Sequence, residues 1–164
     1  MRWITDQAIF EEVLTKARAC EVADASGEVR SMEVLHFEST ELVTRAFFQF
    51  VKSLLVRGDD DFAYYLTLDP DPIECFATFA IYPLVELKSS DSNDDYIAAF
   101  NAEIGNNPTN ALGTNWWKYV VMPNSQRWFI VGTRDFSNDT NGHIWCPGDW
   151  FRWIKTDYPS AIKE

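Results

Sequence analysis

The chain has 164 residues, 46% of them hydrophobic, with seven glycines, seven prolines and a formal net charge of -11. That length and apolar content supply one ordinary core and exclude a disordered chain. The acidic excess disfavours partners that present phosphate, nucleic acid above all.

In chain order, the first helix is expected from Asp6 to Ala19, because Ile9, Phe10, Val13, Leu14 and Ala17 recur on one face and Thr5 or Asp6 can cap it. A loop around Ala25-Ser26-Gly27 leads to a strand near Ser31 to Phe37. Ser39 or Thr40 then caps a second helix that turns Leu42, Ala46, Phe47, Phe50, Val51 and Leu54 inward and stops at Gly58. Alternation of Phe62, Tyr64, Leu66 and Leu68 predicts a strand fed by the Asp59-Asp60-Asp61 loop. Asp71-Pro72-Ile73-Glu74 has the form of a helix start, with a capping Asp and Pro at the first helical position. The short helix it opens is expected to bury Ile73, Phe76, Ala77 and Ala80 and to be stopped by Pro83. Leu84 to Leu87 reads as a strand, and Ser92 or Asn93 caps a helix with Tyr96, Ile97 and Phe100 inside.

The polar run Gly105 to Asn110 marks a change of composition, since six of the seven tryptophans lie from Trp116 to Trp153. Trp116 to Met122 and Arg127 to Thr133 flank Pro123-Asn124-Ser125-Gln126 as an antiparallel hairpin. The loop Ser137 to Gly142 returns the chain to a short strand at His143 to Cys146, and Asp149 to Tyr158 forms a last helical turn. The expected fold is α+β: a single domain over residues 1–164, mainly antiparallel sheet, with a C-terminal aromatic-rich hairpin and about four helices. Met1 to Phe10 lacks the charged start, apolar run and cleavage site of a signal peptide, so a cytoplasmic protein is expected. The longest apolar stretch, Cys75 to Val85, is about half of the ~20 residues that a membrane span needs.

The charge is concentrated. From Asp59 to Glu103 eleven carboxylates face a single base, Lys88, a local net charge of -10. Such a segment attracts cations or basic protein surfaces. Helix starts account for Asp71, Glu74, Asp94 and Asp95, and leave Asp59, Asp60, Asp61 and Asp91 without a structural reason. Asp91, Asn93 and Asp95 imitate the start of a calcium loop, but Tyr96 stands where that loop needs Gly and Ala102 where it needs a bidentate carboxylate. Ser137, Asp139, Asn141 and Gly142 supply the Gly and end on Gly148, so no metal or other cofactor is expected. Cys20, Cys75 and Cys146 are too widely spaced for a metal knuckle and read as small buried hydrophobes in a reducing compartment. Gly132 and Gly142 are isolated, with no phosphate-binding glycine run. His36 and His143 have no flanking nucleophile motif. Trp117, Trp128 and Trp145 read as core, and since neighbours on a strand point to opposite faces, Trp116 is taken as the tryptophan available to a partner.

A small acidic chain without a catalytic motif is best read as a binding protein for a basic partner, in which carboxylates steer encounter and aromatics anchor it. The acidic loops, with Trp116-Trp117-Lys118-Tyr119-Val120-Val121 and Trp128-Phe129-Ile130-Val131-Gly132-Thr133-Arg134-Asp135, resemble in type the immunity proteins of bacterial toxin systems. The resemblance implies a cytoplasmic protein that neutralises a cognate toxin by covering its basic active-site cleft. The partner-binding candidates are Asp59, Asp60, Asp61, Asp69, Asp71, Asp91, Asp94, Asp95 and Trp116. Two alternatives stand beside this reading. One is a small carboxylate-based hydrolase, which needs a deep pocket with converging carboxylates. The other is a ligand-binding or adaptor domain with an aromatic-lined cavity.

Overall fold

The computed structural model describes residues 1–104, 110–113, 115–134 and 140–159, with the backbone alone at Thr140. Seven strands, β1 (Arg2–Trp3), β2 (Glu33–Phe37), β3 (Phe62–Asp69), β4 (Leu84–Lys88), β5 (Lys118–Pro123), β6 (Phe129–Arg134) and β7 (Thr140–Cys146), form one sheet in the order β1-β4-β3-β5-β6-β7-β2. Every neighbouring pair is antiparallel. Among the described residues five α-helices accompany it: α1 (Gln7–Ser26), α2 (Arg45–Gly58), α3 (Pro72–Phe79), α4 (Asn93–Phe100) and α5 (Phe151–Asp157). The α+β class and the aromatic hairpin are as expected; Ser137 and Asp139 of the second calcium-loop pattern and most of the loop from Gly105 lie outside the described residues, whereas Asn141 and Gly142, expected in a loop, are paired in β7.

Both faces of the sheet are covered, because the central strands are apolar on both sides. Leu66, Leu68, Val120, Met122, Phe129, Val131 and Trp145 pack with Phe10, Val13, Ala17 and Cys20 of α1. Ala63, Tyr65, Tyr119, Val121 and Ile130 pack on the other face with Phe47, Val51 and Leu54 of α2, Tyr96 and Phe100 of α4 and Ile154 of α5. The result is three layers, with α1 on one side and α2, α4 and α5 on the other.

Capping chemistry sets most helix starts. Asp6 accepts the Ile9 amide at 3.0 Å, Thr44 the Phe47 amide at 3.1 Å and Ser92 the Asp95 amide at 3.0 Å. Thr44 therefore replaces Ser39 and Thr40 as the cap of α2. A 3₁₀ turn over Ser39–Val43 intervenes, and buried Ser39 instead donates to the Thr133 carbonyl at 2.9 Å. Ala46, expected inside, is exposed because Phe47, Phe48, Val51, Leu54 and Leu55 take the buried face. Helix α1 runs seven residues past its expected end at Ala19, held by a Glu21–Lys118 ion pair at 2.7 Å and by Asp24, which accepts the Trp145 indole N–H at 2.7 Å. Gly27, at φ +69°, then ends it in the left-handed conformation that glycine adopts without strain.

Asp71 does two jobs. It accepts the amides of Ile73 and Glu74 at 2.8 and 3.3 Å, and it pairs with Arg18 of α1 at 3.2 Å. Asp71→Ala should lower stability by about 1 kcal/mol, most of it from the lost cap. The drop would appear as a lower urea midpoint at unchanged slope. An unchanged midpoint would show that the cap contributes nothing.

Candidate functional site

The acidic segment does not build one face. Register places Phe62 opposite Lys88 and Asp69 opposite Lys118, so Asp59–Asp61 and Asp69 lie at opposite ends of β3, roughly 24 Å apart for eight extended residues. Asp94 meets Arg45 in the first turn of α2, whereas Asp59 caps that helix at its far end, about 21 Å of helix away. Four of its eleven carboxylates, Asp71, Glu86, Asp91 and Asp94, are also paired in space. Glu86 is buried and contacts Arg2 at 2.7 Å and Lys88 at 3.4 Å. Arg45 pairs with Asp94 at 2.7 Å, and the Met1 ammonium pairs with Asp91, whose other oxygen accepts the Lys88 amide at 2.8 Å.

The remaining candidates have identifiable positions. Asp59 is the left-handed residue closing α2, at φ +53°, with its amide bonded to the helix carbonyls. Asp60 accepts the Trp128 indole N–H at 3.3 Å, and Asp95 accepts the Ser92 hydroxyl at 2.7 Å. Asp61 and Asp69 are exposed, and the Asp69 carbonyl accepts the Trp117 amide at 2.7 Å. Trp116 is corrected from surface to core. It is 2% exposed, lies edge-on to Tyr119 with ring centroids 4.9 Å apart, and carries the Arg134 guanidinium 4.9 Å from its ring centre. Trp116 and Trp117 precede the start of β5 at Lys118, so strand alternation does not decide which of them faces solvent.

A surface that sequence reasoning missed lies on α3. The helix was expected to be buried, but Ile73 is 58% and Phe76 39% exposed, Ala77 and Ala80 are exposed, and Pro72 is its buried residue. Ile81, just beyond it, is 37% exposed. The helix connects the adjacent strands β3 and β4 outside the end of the sheet, so it has no sheet face to lie on. Instead Phe76 stacks on Tyr82 at 4.1 Å and Tyr82 on Phe10 of α1 at 3.9 Å, a three-ring ladder open to solvent at the Phe76 end. Gln7, Phe10, Glu11, Leu14, Ile73, Phe76 and Tyr82 line a groove of about 230 Å³ there. Glu11 in its lining accepts the Gln7 side-chain amide at 2.7 Å, and it, Asp6 at the start of α1 and Glu74 on α3 have no cationic partner among the described residues, whereas Glu12 and Asp71 are paired with Lys16 and Arg18. The signal was present in Cys75 to Val85, an apolar stretch whose Pro83 prevents it from continuing as a buried helix.

Two larger hollows lie elsewhere. A cleft of about 480 Å³ beside α2 is lined by Lys52, Arg57, Trp153 and Asp157, and one of about 770 Å³ along β2 by Glu28, Arg30, Glu33 and Trp145. Neither takes in any of the candidate aspartates. Burial raises the Cys20 thiol to about 11 and the Cys146 thiol to about 12, the latter helped by Glu33 and Asp149, and it also raises half-buried Cys75. All three therefore stay protonated at neutral pH. Under native conditions a disulfide reagent should modify Cys75 slowly and leave Cys20 and Cys146 unmodified until the chain unfolds. Fast reaction at two or more thiols at pH 7 would contradict this.

The fold and this site together define a three-layer α+β protein that presents an apolar groove with the Glu11 carboxylate in its wall. Comparison with known protein families, curated proteins and solved structures finds no match for the chain. Among the described residues no helix is long and apolar enough to cross a membrane.

Proposed function

We propose that this is an acidic binding protein that neutralises a basic protein partner in the cytoplasm, acting as the immunity proteins of bacterial toxin systems do. The observation that carries the reading is the exposed apolar surface of Ile73, Phe76 and Ile81, with Glu11 in the groove beside Ile73 and Phe76 and with Asp6 and Glu74 exposed on the same two helix segments. An apolar centre with a charged rim is the anatomy of a protein interface. Carboxylates steer a basic partner towards it. The dispersal of the acidic segment shifts the weight of the reading from Asp59–Asp61 and Asp91–Asp95 to this groove. The other acidic positions set the long-range field alone.

The test is co-expression with the product of the neighbouring reading frame, followed by association kinetics at several salt concentrations. Reversing Glu11 and Glu74 to Lys should slow association by about tenfold at low salt and flatten its salt dependence. Reversing Asp59 and Asp61 should have a smaller effect. Failure of a basic neighbour to co-purify, or a salt slope untouched by both pairs of reversals, would leave the carboxylates as a solvated surface and return the hydrolase and adaptor readings.

A further inference from the structure

We infer that the groove between α1 and α3 receives one amphipathic, basic α-helix of the partner protein. This rests on the binding-protein reading and specifies its occupant. The walls are the sides of two helices: Gln7, Phe10, Glu11 and Leu14 recur at helical spacing on α1, and Ile73 and Phe76 lie three apart on α3. The backbone groups along such walls are spent on their own helices. A strand laid between them would find no amide or carbonyl to pair with, whereas a helix brings its hydrogen bonds with it.

From Gln7 to Leu14 the α1 wall runs about 10 Å, two turns, which matches an i, i+3, i+4, i+7 stripe. The apolar side chains of that stripe meet Leu14, Ile73 and the Phe76–Tyr82–Phe10 ladder. Lys or Arg on its flank meets Glu11 in the lining, and exposed Asp6 and Glu74 on the same two helices add to the acidic field. The charge also selects against a second copy of this chain. Two-fold contact would bring the same carboxylates against themselves in a protein of net charge -11. An anionic lipid surface is repelled by the same carboxylates.

The test uses the whole chain and three synthetic probes: a Lys/Leu peptide of roughly 14 residues with Leu at helical spacing, its Glu/Leu counterpart, and a Lys/Leu peptide of strictly alternating pattern. Only the first should bind, in the micromolar range by anisotropy titration. Ile73→Ser and Phe76→Ser should each weaken it at least about tenfold, and Glu11→Lys with Glu74→Lys should do so at low salt. Val56→Ser, at another exposed apolar site on α2, should change nothing. Ile73 is the more exposed of the two groove residues, so its variant keeps the test decisive if Phe76→Ser lowers stability. Equal binding of all three peptides, binding unaffected by Ile73→Ser, or no binding at all would overturn the inference. So would self-association of the unmodified chain that Ile73→Ser abolishes, since the occupant would then be a second copy. Each of these can occur while a basic neighbour still co-purifies with a normal salt slope, so the groove can fail and the basic-partner reading survive.

Discussion

Gly132→Ala and Gly142→Ala should each destabilise the protein by about 3 kcal/mol, at the upper end of what overpacking costs. The two glycines face each other across β6 and β7. Tyr119 is opposite Gly132 on β5, and Phe37 is opposite Gly142 on β2, so the four residues form one row across the sheet. In that row the rings lie down over the glycines. A Cβ on Gly132 would sit 2.2 Å from Cε1 and Cζ of Tyr119, and one on Gly142 would sit 2.1 Å from Cε1 of Phe37. Neither ring can swing away. Tyr119 donates its hydroxyl to the Ser39 carbonyl at 3.1 Å, and Phe37 is stacked on Phe47 of α2 at 5.6 Å. Urea unfolding measures the loss as a lower midpoint. In a Phe37→Leu background the added cost of Gly142→Ala should shrink, because the atoms it strikes are gone. The same cost in both backgrounds would mean that backbone preference, not the ring, requires glycine there.

These glycines mark where sequence reasoning runs out. Local chemistry was legible: Asp6, Asp71-Pro72 and Ser92 announce helix starts, and Pro123 to Gln126 announces the hairpin, because each acts on neighbours a few residues away. Gly132 and Gly142 could be dismissed as phosphate-binding glycines, but their real duty depends on Tyr119 and on Phe37, which lies more than a hundred positions from Gly142. The acidic segment failed for the same reason. Part of its charge is paired with Arg2, Arg18 and Arg45, which lie 84, 53 and 49 residues from Glu86, Asp71 and Asp94, and no short window along the chain contains both partners. The α3 groove was half legible. An apolar helix can be read from its pattern, but whether a layer covers it is decided by topology, and a helix bridging adjacent strands beyond the sheet end has nothing above it.

Trp116→Ala is expected to cost about 3–5 kcal/mol, a large part of the 5–15 kcal/mol that holds a domain of this size together. The indole is 2% exposed and fills space beside Tyr119, which in turn contacts Tyr65 and, through its hydroxyl, the backbone at Ser39. Its removal therefore leaves a cavity beneath the row that seats Gly132, and the surrounding rings are too constrained to close it. The guanidinium of Arg134 lies 4.9 Å from both Trp116 and Trp117, so the truncation also removes one of its two aromatic faces. Trp117, partly exposed, should cost about 1 kcal/mol when cut to alanine, chiefly through the other side of that cation–π contact. The pair separates a packing role from an interface role in one experiment. A buried support gives a large fall in the urea midpoint for Trp116→Ala, with affinity for a basic partner restored wherever the variant is folded. A surface anchor would give the reverse, a normal midpoint with lost affinity, and that result would return Trp116 to the interface and take the weight of recognition away from Ile73 and Phe76.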